Sequence, residues 1–147
     1  KGNYPVLQRL LEEDPDIALM PKYLPILGDG SENDMSVYAA KAAEAARLQG
    51  KFAVFHEALM ASRIPLSRES VRGVAEEVSL ELEQWQADID SVNVAEAVER
   101  MRAIAEDIGI RQAGTPSYIV GGKVMIGAGP DAYDQLKAMI VEAKANR

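Results

Sequence analysis

The fold class this sequence predicts is α/β. Three observations carry the prediction: a long middle stretch with apolar residues at spacings of three and four, a nearly continuous apolar run over residues 17–25, and a late change of period around Gly121-Gly122. The resulting order is helix, strand, a helical block of about 80 residues, hairpin, helix, with the usual error on boundaries.

Taken in order, residues 3–13 place Val6, Leu7, Leu10 and Leu11 at helical spacing, and Pro5 is acceptable in a first turn. Asp14-Pro15-Asp16 stops this helix, because a residue preceding proline avoids helical backbone angles. Ile17-Ala18-Leu19-Met20-Pro21-Lys22-Tyr23-Leu24-Pro25 then reads as a strand. It is too continuously apolar for a half-exposed strand, and Pro21 removes a ladder donor, which points to an edge or a bulge. Gly28-Asp29-Gly30-Ser31 is a loop, after which Ser31, Asn33 or Asp34 caps an alanine-rich helix at about 35–49, ended by Gly50. Phe52, Phe55, Ala58 and Leu59 share one face of the next helix, and Ser67 caps another whose stripe is Val71, Val74, Ala75 and Val78. Helices at about 81–89 and 94–108 follow, the second carrying Val98, Met101, Ala105 and Ile108. Ser117-Tyr118-Ile119-Val120 and Lys123-Val124-Met125-Ile126, joined by two glycines able to take positive φ, predict a β-hairpin. Asp131 begins a last amphipathic helix, with Tyr133, Leu136, Met139, Ile140 and Ala143 facing inward.

Composition narrows the function classes. With 147 residues, 48% apolar and 27% charged, the chain has the balance of one soluble globular domain. A net charge of −7 leaves no basic patch of the size phosphate binding needs, so nucleic acid is not an expected partner. No stretch approaches the roughly 20 apolar residues that span a bilayer. The chain starts at Lys1 with no signal-peptide pattern, so it is expected to be a processed protein or a fragment. It contains no cysteine, which excludes structural disulfides, cysteine metal sites and thiol catalysis by these residues alone.

Several phrases together resemble one family. Lys1 through Pro5 is similar to an active-site helix just past the second cysteine of a Cys-X-X-Cys motif, and Asp14-Pro15-Asp16 to the turn after that helix. Tyr23-Leu24-Pro25-Ile26-Leu27-Gly28 resembles a strand end, Gln49-Gly50-Lys51-Phe52 and Phe55-His56-Glu57-Ala58-Leu59-Met60 the inserted helices, and Gly114-Thr115-Pro116 the cis-proline loop of DsbA-type thiol–disulfide oxidoreductases. The resemblance covers nearly the whole chain. Two places depart from it: Arg111-Gln112-Ala113 lengthens the approach to Gly114, and Ile126 stands before Gly127 where many relatives have proline.

The resemblance implies an α/β fold with a thioredoxin-like core and an inserted helical domain, DsbA-like and N-terminally truncated. Its parts would be 1–33 (active-site helix and one strand), 34–109 (helical insertion) and 110–147 (cis-proline loop, hairpin, last helix). It implies thiol–disulfide exchange on protein substrates by cysteines lying just before residue 1, with no cofactor and no metal. The implied partners would be proteins bearing thiols or disulfides and a redox partner protein, in a periplasmic or otherwise exported setting, with a homo-oligomer left open. No residue of the chain itself would be catalytic, whereas Gly114, Thr115 and Pro116 would bind substrate. The residues alone favour an ordinary trans Thr115–Pro116 bond, and the resemblance favours cis.

The remaining candidates have plainer readings. His56, the only histidine, lacks a second ligand or a cysteine to act with and reads as packing. Glu12-Glu13, Glu76-Glu77, Glu81 and Glu83 read as solvated helix faces. Trp85, Phe52 and Phe55 could line a peptide groove but read as core. Gly127-Ala128-Gly129 lacks the strand–helix context of a phosphate loop. Two other functions stay open: the glutathione-transferase or isomerase branch of the same superfamily, and a redox-dead peptide-binding or chaperone module. The missing central strand would leave two facing edges, expected to be paired by upstream residues, by another chain, or by collapse on each other.

Overall fold

The computed structural model describes residues 4–25, 31, 34–110 and 114–146. The predicted Gly28–Gly30 loop, the family-like start at Lys1–Asn3, the Asn33 cap and the approach at Arg111–Ala113 lie outside these residues. Among the described residues the chain forms seven helices and one two-stranded sheet. It divides into two compact units, 1–21 with 106–147, and 22–105. The sequence reading placed the corresponding boundaries at 33/34 and 109/110.

The first unit is built from α1 (Tyr4–Glu13), β1 (Ser117–Val120), β2 (Lys123–Ile126) and α7 (Ala132–Ala145). β1 and β2 pair antiparallel with Val120 opposite Lys123 and Ser117 opposite Ile126, around a two-residue turn in which Gly121 and Gly122 both have positive φ. Side chains alternate across the ribbon, so Tyr118, Val120 and Met125 join Leu10 of α1 and Ala132 and Leu136 of α7 in one apolar cluster. On the opposite face Ile119, Val124 and Ile126 are exposed. Cations of α7 meet acids at and beyond the end of α1: Lys144 Nζ lies 2.6 Å from Asp14 and 3.4 Å from Asp16.

The second unit contains α2 (Met35–Leu48), α3 (Phe52–Ala61), α4 (Arg68–Glu77), α5 (Leu82–Ile89) and most of α6 (Val92–Asp107). Asp34 caps α2 by accepting from the Ser36 amide at 2.8 Å, and Ser67 and Ser70 form a reciprocal capping box on α4. Alanines at 39, 40, 42, 43, 45 and 46 are all buried, which lets α3, α4 and α5 pack closely on α2. Trp85 is wholly buried there, and its indole N–H donates to the Ala42 carbonyl at 2.9 Å, so its one polar group is satisfied.

The family-like phrase at 49–52 has a physical reason. Gln49 exchanges two hydrogen bonds with the Glu81 backbone, and Lys51 Nζ donates to the Val78 and Ser79 carbonyls at 3.1 and 2.7 Å. A cation thus sits at the carbonyl end of α4, where the helix dipole favours it. Gly50, at φ +70, makes the turn that places both side chains.

One expected element is corrected. Residues 17–25 form no strand, because no ladder partner exists for them among the described residues and Pro21 and Pro25 carry no amide to donate. Leu19 and Met20 are exposed as a result. Of the three outcomes expected for the two facing edges, collapse on each other is not seen among the described residues, where the sheet consists of β1 and β2 alone.

Candidate functional site

The loop before β1 is positioned from both ends. Gly114 donates its amide to the Ile110 carbonyl at 3.1 Å, at a φ of +102 that a side chain would strain. The Ser117 hydroxyl donates back to the Gly114 carbonyl at 2.7 Å. The Thr115–Pro116 peptide is cis. Beyond it the Pro116 carbonyl accepts from the Gly127 amide at 2.8 Å, extending the hairpin ladder by one rung.

That rung sets the phase of the strand. In an antiparallel pair, residues alternate between bonding to the partner and pointing away from it. Pro116, Tyr118 and Val120 face β2, so the N–H and C=O groups of Thr115, Ser117 and Ile119 point to the open side of β1. Thr115 and Pro116 are exposed, and among the described residues neither backbone group of Thr115 has a hydrogen-bond partner. Gly114, Thr115 and Pro116 carry no ionisable side chain. Chemically the loop can hold an extended chain through backbone hydrogen bonds, and it supplies no acid, base or nucleophile.

Gly114, Thr115 and Pro116 thus sit together in one exposed loop. Two supporting residues escaped the sequence reading, Ser117 and Gly127. Ser117 was legible in principle, since a hydroxyl two positions after Thr115 can turn back on the loop. Gly127 was not, because its bond to Pro116 depends on hairpin register.

The other candidates lie elsewhere. Trp85 and Phe55 are fully buried in the second unit, with ring centroids 6.2 Å apart. His56 is half-buried in a cluster with Phe52 and Tyr23, and its Nδ1 is 2.9 Å from the Tyr23 hydroxyl. Burial holds the imidazole below its ordinary pKa, with Glu57 opposing, and pushes the Tyr23 phenol up. Among the described residues no group of three or more His, Asp or Glu side chains is placed to hold a metal ion. No described helix is long and apolar enough to cross a membrane.

The sequence profile of the DSBA-like thioredoxin domain matches residues 6–141. The chain belongs to this family. A solved structure similar in fold and sequence is a thioredoxin-like oxidoreductase from Silicibacter pomeroyi DSS-3, 33% identical, with a TM-score of 0.83 over 96% of this chain and 76% of that one. A variant of Proteus mirabilis ScsC shares the fold at a TM-score of 0.75 and 23% identity, over 97% of this chain and 62% of its own. A Na(+)/H(+) antiporter NhaA from Herminiimonas arsenicoxydans is 38% identical over 90 residues, which are 61% of this chain and 14% of that protein. The chain therefore spans only a small part of that curated relative. As a DSBA-like domain it has the thioredoxin fold of an oxidoreductase family, with seven helices and a small sheet among the described residues.

Proposed function

We propose that this DSBA-like chain is the scaffold and substrate-docking part of a protein thiol–disulfide oxidoreductase, whose redox cysteines lie immediately before Lys1. Two facts support the division of labour. The family is one of oxidoreductases, and the chain's own residues include no cysteine to serve as a nucleophile. The observation that carries the reading is the exposed backbone of Thr115, with its N–H and C=O free on the open side of β1. An extended substrate segment pairs with these groups as an added strand would. The cysteines then act at the start of α1, where helix amides favour a thiolate. A thiolate attacks one sulfur of the substrate disulfide, the S–S bond breaks, and the released thiolate takes a proton. The second cysteine next resolves the mixed disulfide. Gly114 and Pro116 shape the loop, and protein substrates, a redox partner protein and an exported or periplasmic setting belong to the same proposal.

The test compares insulin-disulfide reduction by the 147-residue chain and by the protein carrying its natural upstream residues. Turnover is expected only for the longer form, and an upstream sequence without cysteine would sink the reading. In that longer form Thr115→Pro, which removes one amide, is expected to weaken peptide binding up to about tenfold, the equivalent of one hydrogen bond of about 0.5–1.5 kcal/mol. Thr115→Ala keeps the amide and should bind as the parent does.

The absence of cysteine also favours a second reading, a peptide-binding module without redox chemistry. It predicts that an unfolded peptide binds at Thr115 while the longer form shows no disulfide turnover.

A further inference from the structure

Between α3 and α4 the chain runs through Ser62-Arg63-Ile64-Pro65-Leu66-Ser67 with neither helix nor strand. Residues 63–69 are the longest consecutively exposed run among the described residues, and the apolar Ile64 is 70% open to solvent. Both helix ends are finished on their own sides of the Arg63–Ile64 bond. Ser62 closes α3 by donating its amide to the Ala58 carbonyl at 2.9 Å. The Ser67–Ser70 box closes α4, and the Ser70 hydroxyl reaches the Pro65 carbonyl on the same side. Across the bond itself the Ile64 amide donates to the Ser62 hydroxyl at 3.3 Å, a tie that a small local movement breaks. Arg63 enters no ion pair with another described residue.

We propose that Arg63–Ile64 is a cleavage site for an endopeptidase that selects arginine, and that the cut leaves one folded particle made of two pieces. The enzyme adds water across the peptide bond, leaving a carboxylate on Arg63 and an amine, protonated at neutral pH, on Ile64. A protease needs an accessible, unpaired stretch that it can draw into its cleft, and a free side chain before the scissile bond. Arg63 offers both. The other described cations lie in helices or in the hairpin, apart from Lys51 and Lys22. Lys51 has its ammonium on the Val78 and Ser79 carbonyls, and Lys22 precedes Tyr23, whose ring packs against Phe52 and His56. The pieces stay together because each apolar cluster draws on both sides of the bond. In one, Phe55 lies against Trp85, whose indole donates to the Ala42 carbonyl. In the other, Leu10 joins Met125, Ala132 and Leu136. The Gln49–Glu81 hydrogen bonds also run from the first piece to the second. None of this depends on the redox reading of the chain.

Brief digestion of the native 147-residue chain with trypsin, read by mass spectrometry and size exclusion, tests the proposal. A fragment starting at Ile64 is expected before any cut after another described cation. Both pieces are expected to elute together, with the helical circular dichroism of the intact chain. The rate of that cut, normalised to a small arginine amide substrate, should stay flat in urea below the unfolding transition, whereas cuts inside helices should rise with it. In Arg63→Gln the 22–105 unit should outlast the parent's by at least about tenfold at the same dose. An earlier cut at another described residue, or pieces that separate once cut, would overturn the proposal. So would a rate at Arg63 that climbs with urea as the helix cuts do, or an Arg63→Gln unit digested as fast as the parent's.

Discussion

Glu13 gathers three donors at the end of α1. Lys137 Nζ approaches to 2.7 Å and Arg9 Nε to 2.8 Å, and the Tyr133 hydroxyl also donates to it. These hydrogen bonds, led by Lys137, lower its pKa from 4.5 to about 2. A carboxylate with a depressed folded pKa adds stability that is present above its unfolded value and lost as pH falls through the folded one. The melting temperature of Glu13→Gln is therefore expected to lie below the parent's at pH 7, with the gap closing between pH 4.5 and about 2. A gap that stays constant over that range would show that the network contributes through packing alone. The exposed rim of the network keeps the effect small and salt-sensitive. A sequence reading sees Glu12-Glu13 as a solvated face, because Lys137 and Tyr133 are more than 100 positions away and only the fold brings them near. Ser67 was legible for the opposite reason, since a cap and its helix are neighbours in the chain.

The hairpin is the element most completely written in its own residues: β-prone runs, a two-glycine turn and a partner a few positions off. Its two glycines differ in what surrounds them. A Cβ on Gly121 would lie 2.6 Å from the Ala143 Cβ of α7, while one on Gly122 would meet nothing within 4 Å. Gly122→Ala is expected to cost about 1–2 kcal/mol for the left-handed backbone. Gly121→Ala should cost about 1–3 kcal/mol more, because the helix must also move. Urea unfolding of both variants measures the difference, and equal losses would mean that α7 yields freely. Residues 17–25 show the limit of local reading. Their apolar run reads as a strand, but a strand needs a partner, and apolar residues do not supply one.

Each of the two units has its own apolar cluster, and neither could be assigned from sequence alone, since both draw on segments far apart in the chain. The family phrases nevertheless located the cis-proline loop, because glycine, proline and their neighbours keep a recognisable order. At the scale of the molecule the open side of β1, flanked by exposed Ile119, Val124 and Ile126, is a template for pairing with a second copy. Sedimentation velocity of the 147-residue chain is expected to show association growing with concentration, weakened in Ile119→Lys while stability changes by no more than about 0.5 kcal/mol. Identical distributions for the two would show that this edge does not drive association. The one tryptophan, Trp85, lies in the middle of the helical unit, with its indole N–H already engaged and its ring out of water. Its emission is accordingly a gauge of the 22–105 unit and is blind to the hairpin. A fluorescence melt reads helix-block unfolding, while loss of the sheet and its cis-proline loop leaves the signal unmoved until the helices themselves let in water.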